Sequence, residues 1–337
     1  QMCIRDSDNA VQGIYDGAVV TDTRNRHGIQ NIYNGGRAEN NLMDNFAVQN
    51  IAAGGTAVNT SLGNDSQQNV RGSAVDTDLS ANSVQNVYRG GTATRTTLYE
   101  RGTQNIYSGG SSDFAVINVG GIQNVLTGGT ASNTTINGGG TQNVNSGGTV
   151  ISTIIREGGI QNVNDGAIVI DNKVVGDQVV NQGGTVASST VSENGAQSVT
   201  FGGKAIATTV SKGGAQFVRA GGVADLTAIE RGGMLALEDG ATVTNINLNS
   251  GAALMAGTDT TLNGTNANGS FSIANKIADS LLLESGGLLA VAADGSANNT
   301  VVSENGTLSV AEGGMLTGVT KINDGGTLAG NVNNDGE

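Results

Sequence analysis

The chain repeats one short pattern of polar and apolar positions along most of its length. Each copy contains a Q-N-V or Q-N-I triplet, and most copies lie 19 residues apart, with two intervals of 17. The glutamine of the clear triplets falls at Gln30, Gln49, Gln68, Gln85, Gln104, Gln123, Gln142 and Gln161, and weaker copies begin at Gln12, Gln178, Gln197 and Gln216. A fixed period of this length is typical of a repeat architecture.

Within each copy, two short β-prone segments alternate with two glycine-rich turns. Aligned on the glutamine, the unit reads Q-N-V-x-x-G-G-T-A-x-x-T-x-I-x-x-G-G-x, as in residues 123–141. Paired glycines at fixed offsets indicate turns, because glycine adopts positive φ without strain. We expect the shortened copies to lose residues at turns. In the copy that begins at Gln161, NDGA replaces x-x-G-G-T, and the loss is expected there.

A unit this short cannot bury a core alone, so successive copies must stack on one another. The pattern predicts an all-β fold, a right-handed single-stranded parallel β-helix, or solenoid, of about 19-residue coils. The aliphatic residues after Q-N and before the second turn are the predicted core columns: Val87, Leu98, Ile106, Ile117, Val125, Ile136, Val144 and Ile155. Ala57, Ala93 and Ala131 are predicted to fill a tight corner. The alternation is too short to orient the asparagine column, Asn86, Asn105, Asn124, Asn143 and Asn162.

Three segments follow from the repeat. Residues 1–7, QMCIRDS, resemble the translation of a common sequencing adapter and share nothing with the rest, so we interpret them as an artefact; they contain the single cysteine, Cys3. Residues 8–240 carry the regular 19-residue repeats. Residues 241–337 are predicted to continue the β-helix with degenerate, leucine-richer repeats, after an irregular stretch at 248–280, and to end before any C-terminal barrel.

Composition narrows the function classes. The chain has 54 Gly, no Pro, no Trp and 3% aromatic residues, too little bulk for ordinary globular cores. Disorder is disfavoured, because only 13% of residues are charged and β-branched residues recur regularly. The net charge of −13 and the lack of a basic run argue against nucleic-acid binding. No apolar stretch is long enough to span a bilayer, so we predict no membrane insertion by this fragment.

The residues that could carry catalysis are sparse, and we predict no catalytic site, no cofactor and no metal. His27 is the single histidine and is interpreted as a solvated turn residue; without more Cys or His, thiol catalysis and ordinary zinc sites are excluded. The G-G-T-A sequence lacks the aspartate of calcium-binding nonapeptide repeats. Cleavage of glycosides would need carboxylates on adjacent coils. The acids show no such column: Asp76, Asp78, Asp113, Asp165 and Asp171.

Two columns of hydroxyl residues are the informative positions. The first directly follows the glycine pair, and the second lies four residues later. Three interpretations stay open: strand propensity with hydroxyl ladders between coils, an array of O-glycosylation acceptors, or a flat threonine face that orders ice or another lattice. The candidate glycan acceptors are Thr56, Thr60, Thr92, Thr96, Ser111, Thr130, Thr134, Thr149, Thr153, Thr185 and Ser189.

The repeat G-G-T-A-x-x-T-x-I followed by G-G-x-Q-N-V closely resembles the passenger repeats of the AIDA-type (adhesin involved in diffuse adherence) autotransporter family, over roughly residues 10–235. The resemblance implies a right-handed β-helical passenger that is exported and carried across the outer membrane by its own C-terminal barrel. Its location would be the bacterial cell surface, the outer membrane or the medium.

The same resemblance implies partners. They are the host-cell surface or extracellular matrix, and like passengers, whose self-association gives autoaggregation and biofilm. It also implies O-heptosylation by a dedicated heptosyltransferase, with the hydroxyls beside G-G, such as Thr92, Thr130 and Thr149, as acceptors. Two alternatives stay open: a non-binding structural stalk, and a polysaccharide-active β-helix enzyme.

Overall fold

The computed structural model describes residues 7–330, in which short β-strands alternate with turns. Cys3 and most of the predicted artefact, residues 1–6, lie outside the described residues. The described part contains no helix, and so none that could cross a membrane. The chain divides into two compact units, Gln1–Asn172 (unit 1) and Lys173–Glu337 (unit 2). Each is a solenoid of stacked parallel strands with a coil spacing near 19 residues, which confirms the predicted all-β parallel β-helix.

Unit 1 contains two stacks of parallel strands, both built one coil upon the next. The first, which we call the glutamine sheet, has the strands Val11–Ile14, Ile29–Ile32, Val48–Ile51, Gln67–Val70, Val84–Val87, Thr103–Ile106, Ile122–Val125, Thr141–Val144 and Ile160–Val163. The second, the hydroxyl sheet, has the strands Ser7–Asp8, Val19–Thr21, Arg24–Arg26, Arg37–Asp44, Thr56–Leu62, Ser73–Leu79, Thr92–Thr94, Thr97–Leu98, Ser111–Asp113, Val116–Ile117, Thr130–Ser132, Thr135–Ile136, Thr149–Ile151, Ile154–Ile155 and Ile168–Ile170.

Unit 2 repeats this arrangement with one interruption. Its glutamine-type strands are Asp177–Val180, Ala196–Val199, Ala215–Val218, Met234–Leu237, Ala253–Gly257, Leu288–Val291, Thr307–Val310 and Thr327–Gly330. Its other strands are Lys173–Val174, Thr185–Ala187, Thr190–Val191, Lys204–Ile206, Thr209–Val210, Val223–Asp225, Ala228–Ile229, Thr242–Leu248, Thr261–Asn266, Gly269–Ala274, Ile277–Asp279, Leu282–Leu283, Ser296–Asn298, Val301–Val302, Met315–Thr317 and Lys321–Ile322. The strand Gly269–Ala274 pairs antiparallel with both of its neighbours, so a meander interrupts the coils within the stretch 248–280.

The core is a set of aligned columns, because the strands pair in phase with the repeat. Gln104, Gln123 and Gln142 are direct partners in adjacent strands, and so are the residues on either side of them. The predicted core columns are confirmed: Val87, Leu98, Ile106, Ile117, Val125, Ile136, Val144 and Ile155 are 0% exposed. The alanines are buried as well, with Ala57 and Ala93 1% and Ala131 0% exposed.

The glutamine column lies inside the solenoid and forms a ladder of amides. In unit 1 the Nε2 of Gln123 donates to the Oε1 of Gln104, and the Nε2 of Gln142 donates to the Oε1 of Gln123, both at 2.6 Å. These side chains are 0% exposed. A buried primary amide is costly unless it is hydrogen-bonded, and the in-phase stacking supplies a partner in each neighbouring coil.

The asparagine column lies on the opposite, outer face of the same strands and forms a second ladder. Asn124 Nδ2 donates to Asn105 Oδ1 at 2.9 Å, and Asn143 Nδ2 donates to Asn124 Oδ1 at 3.0 Å. Both side chains are half-buried. The orientation that the sequence left open is therefore outward, with ladder hydrogen bonds.

The glycine pair is required at the turn for two different reasons. Gly109 has φ +73°, which glycine adopts without strain. A Cβ on Gly110 would lie 2.5 Å from the carbonyl oxygen of Val87 in the preceding coil. The first glycine therefore allows the turn, and the second allows the coils to approach closely.

The two shortened copies lose their residues at turns, but one of them at a different turn from the one expected. In unit 1, two residues separate the strands that end at Val70 and begin at Ser73, whereas four separate Val87 from Thr92. The NDGA turn after Val163 has the ordinary length. The second shortened copy is instead cut at Val175 and Gly176, which replace the four-residue turn seen at 192–195. The strands keep their register across both deletions, because only turn residues were removed.

Candidate glycan-acceptor face

The first hydroxyl column points outward from the hydroxyl sheet. In unit 1, Thr92, Ser111, Thr130 and Thr149 are register partners in successive strands, so their side chains form one column. Thr92 is exposed, and the other three side chains are half-buried. The remaining candidates of this column, Thr56 in unit 1 and Thr185 in unit 2, are half-buried too.

The second hydroxyl column points inward. Thr60, Thr96, Thr134, Thr153 and Ser189 are at most 1% exposed. Thr96 Oγ1 donates to Gln85 Oε1 at 3.1 Å, and Thr134 Oγ1 donates to Gln123 Oε1 at 3.4 Å. The hydroxyls of Thr96 and Thr134 support the glutamine ladder in this way, and the close packing around the whole column leaves the folded coil no room for a sugar on it. The hydrogen-bonded members of this column thus bond to glutamines, while the first column keeps its hydroxyls toward solvent.

The two columns face opposite ways because a corner lies between them. One residue in each coil has positive φ there, as in Asn59 (53°), Asp76 (54°), Arg95 (55°), Phe114 (54°) and Asn133 (51°). A residue in this left-handed conformation reverses the in–out alternation of a strand. Two residues that lie on either side of the corner, an even number of positions apart, therefore point to opposite faces. The sequence spacing alone could not reveal this.

The corner also brings to the outer face further hydroxyls that do not belong to the predicted acceptor set. Thr94 and Thr97 in one coil, and Ser132 and Thr135 in another, are half-buried beside the first column. Thr97 and Thr135 lie beyond the corner on either side of Val116, which pairs with both. The available signal was the frequent Asn or Asp at the corner, a residue type that tolerates positive φ.

One ion pair on this face joins two corner residues. Arg95 Nε and Nη2 donate to the two carboxylate oxygens of Asp76 at 2.6 and 2.9 Å, and these hydrogen bonds lower the pKa of Asp76. His27 is exposed, with φ +56°, in the turn before the strand Ile29–Ile32, and its ring lies 6.3 Å from that of Phe46. Within residues 7–330, no group of three or more His, Cys, Asp or Glu side chains is placed to hold a metal ion. What the face offers chemically is an array of hydroxyl groups.

Known proteins share this architecture. Residues 263–326 match the family model described as "Adhesin of bacterial autotransporter system, probable stalk". The autotransporter adhesin/invasin TibA of Escherichia coli O78:H11 is 49% identical over 65 residues, which are 19% of this chain and 7% of TibA. The chain thus matches well under a tenth of the length of that curated relative, and the family model matches the region of the degenerate repeats.

A solved structure covers more of the chain. It is the crystal structure of a TibC-catalysed, hyper-glycosylated fragment of TibA, and it superposes with a TM-score of 0.72 at 30% sequence identity. The match covers 75% of this chain and 96% of the TibA fragment. The similarity therefore extends over nearly the whole of a glycosylated β-solenoid fragment.

Proposed function

This chain belongs to the AIDA-type family of autotransporter adhesin passengers, and on that premise we propose that it is a surface-displayed adhesive segment whose outward hydroxyls are O-heptosylated. Its location is the bacterial cell surface, at the outer membrane or released from it. Its partners are a heptosyltransferase, the host-cell surface or extracellular matrix, and other copies of the passenger. No cofactor takes part.

One observation carries the proposal: the first hydroxyl column is both outward and continuous. Thr92, Ser111, Thr130 and Thr149 stand in register on one face, which gives a transferase the same acceptor geometry in coil after coil. The TibA fragment with the same fold is described as glycosylated by TibC. The inward column is the less accessible acceptor set in the folded chain, because its side chains are buried inside the coil.

Adhesion would follow from repetition. Neighbouring coils lie about 4.8 Å apart, so equivalent groups recur along the face at this interval. Many weak contacts add up because each bound coil raises the effective concentration of the next. Binding is then expected to increase steadily with the number of acceptor-bearing coils.

The test is a display experiment with a modification readout. The full chain is presented on bacteria by an unrelated surface anchor, with and without a co-expressed TibC-type heptosyltransferase, and host-cell attachment, cell settling and the mass of the released chain are measured. We expect added sugar mass and stronger attachment with the transferase. A folded, displayed chain that gains no sugar and binds no better than the bare anchor would contradict the proposal.

Matched variants assign the acceptors. Changing Thr92, Thr130 and Thr149 to valine removes three outward hydroxyls of the first column and keeps β-branched side chains. The control changes Thr103 and Thr141 to valine on the outer face of the glutamine sheet, where both are half-buried. Loss of sugar mass from the first variant alone supports the assignment. Equal loss from both would point to unselective modification.

A stalk is the second candidate, and the family description favours it for residues 263–326. A stalk would hold a distal binding region away from the cell and would bind nothing itself. The display experiment separates the two functions, because a stalk is glycosylated without conferring attachment. The polysaccharide-active enzyme has no comparable support, since the relatives are described as adhesins.

A further inference from the structure

The outer face of the hydroxyl sheet changes character near the end of unit 1. In the strands at 130–136 its outward residues are Thr130, Ser132 and Thr135. One coil later the corresponding positions are Thr149, Ile151 and Ile154, and in the following strand they are Ile168 and Ile170. Hydroxyls have been replaced by isoleucines at four outward positions.

We call the four residues Ile151, Ile154, Ile168 and Ile170 the isoleucine window. They are 40%, 42%, 47% and 38% exposed, respectively. Ile151 pairs directly with Ile170. Ile168 lies two residues before Ile170 in the same strand, so these three side chains adjoin on one face. Ile154 lies just beyond the corner residue Ser152, which has φ +57°. Contiguous exposed apolar residues of this kind are typical of interaction surfaces.

The isoleucines are not required by the coil itself. Threonine and serine occupy the same outward positions in the neighbouring coil, and threonine has strand propensity comparable to that of isoleucine. Isoleucine also has no hydroxyl, so glycosylation of this sheet leaves the four positions unmodified. The window is therefore a bare apolar area beside the acceptor column.

The charge distribution indicates what the window binds. The chain carries a net charge of −13, so two copies repel each other over most of their surfaces. From Phe114 to Ile155 the sequence contains no Asp, Glu, Lys or Arg, and Ile168 and Ile170 extend the uncharged outer face by one strand. A like-charged partner can approach here with the least electrostatic cost. Asp171, at the corner after Ile170, accepts a hydrogen bond from Ser152 Oγ at 3.0 Å.

We propose that the isoleucine window is the docking surface for a second copy of this chain. The contact is isologous, with window against window, as in a two-fold dimer. The proposal rests on the self-association included in the proposed function and assigns it to one place. The contact between the two copies is then apolar, and it forms whether or not the chain is glycosylated.

Sedimentation of the purified 337-residue chain tests this assignment. The variant Ile151→Ser, Ile168→Thr, Ile170→Ser restores the hydroxyl pattern of Thr130 and Ser132, and the control is Ile122→Thr. Ile122 is half-buried on the outer face of the glutamine sheet between Thr103 and Thr141. We expect the wild type and the control to self-associate equally, and the triple variant to do so at least about tenfold more weakly.

The outcomes separate this proposal from the function above. Unchanged self-association of the triple variant, with circular dichroism like that of the wild type, would overturn the docking surface and leave adhesion untouched. A wild type that stays monomeric at every concentration, or that is retained by phosphatidylcholine vesicles instead, would also overturn it. Host-cell attachment is measured in parallel, and we expect the triple variant to keep it.

Discussion

The inner and outer amide ladders allow one perturbation to be made at two adjacent residues. Gln123 and Asn124 both belong to the strand Ile122–Val125, and each donates to and accepts from the equivalent residue of a neighbouring coil. Gln123 is 0% exposed, whereas Asn124 is half-buried. We compare Gln123→Ala with Asn124→Ala, since both remove an amide from the same place in the fold.

The expected costs differ because water can reach only one of the two sites. Gln123→Ala leaves the Nε2 of Gln142 and the Oγ1 of Thr134 without their acceptor inside the coil. The Oε1 of Gln104 loses one donor but keeps the Oγ of Ser112. Each orphaned buried group costs about 1–3 kcal/mol, and the cavity adds to this, so the free energy of unfolding should fall by roughly 3–6 kcal/mol. In Asn124→Ala, solvent replaces the lost partners, and the cost should stay below about 1 kcal/mol.

Amide hydrogen exchange, resolved by peptide, is the appropriate assay. A solenoid unfolds coil by coil, so a single unfolding midpoint averages over regions that were not perturbed. Exchange measures the opening free energy of each segment separately. We expect Gln123→Ala to lower the protection of the coils that contain Gln104, Gln123 and Gln142, and to leave unit 2 unchanged.

Equal effects of the two substitutions would refute the reasoning. If both lowered protection by the same amount, burial would not be the reason that the glutamine ladder stabilises the coils. Gln123→Leu provides a further check, because it fills the space but still leaves the Nε2 of Gln142 and the Oγ1 of Thr134 without their acceptor. Protection close to that of the wild type in this variant would mean that packing, and not hydrogen bonding, is the main contribution.

Three further predictions concern the corners and turns of unit 1. Phe114→Asn should raise local stability by about 1 kcal/mol, measured by exchange, because a bulky residue is strained at φ +54° and asparagine is not. Gly110→Ala should cost about 3 kcal/mol and Gly109→Ala about 1 kcal/mol in urea unfolding, because the former places a Cβ 2.5 Å from a backbone oxygen of the preceding coil, whereas the latter meets the flexible side chain of Arg89. The lowered pKa of Asp76 means that its pair with Arg95 stabilises the fold above the ordinary carboxylate pKa, and that this contribution is lost as pH falls through the folded pKa. Arg95→Gln should therefore reduce the loss of unfolding free energy on acidification, measured by urea unfolding at a series of pH values. A pH dependence equal to that of the wild type would contradict the assignment.

The fold class could be predicted because its cause is repeated many times in the sequence. Val87 and Ile106 recur at the same offset from paired glycines, and so short a period is typical of stacked coils. The orientation of the glutamines was also within reach. Gln85 lies two residues before the core residue Val87, and residues two apart share one face of a strand.

The candidate acceptors fall on two opposite faces, for a geometric reason that the sequence does not display. Thr92 and Thr96 look equivalent in sequence, being hydroxyls at an even spacing on β-prone segments. The corner at Arg95 reverses the alternation, so one points to solvent and the other donates to Gln85. A non-glycine residue at positive φ leaves little trace in a single sequence when Arg or Phe occupies it. The pattern becomes visible only when Asn59, Asp76 and Asn133 are aligned as one column.

The same geometry explains why such a surface can take on different functions without a change of fold. Inward positions are fixed by the residues packed around them, since a change at Gln123 leaves Gln142 and Thr134 without their acceptor. Outward positions have no such constraint, so Thr130 in one coil and Ile168 two coils later occupy equivalent places on the same sheet. The residues on the outer face can therefore differ according to what the face binds, whereas the residues inside are determined by the stability of the coil. A departure from the outer pattern, such as the isoleucine window, is for this reason a better guide to partners than any feature of the core.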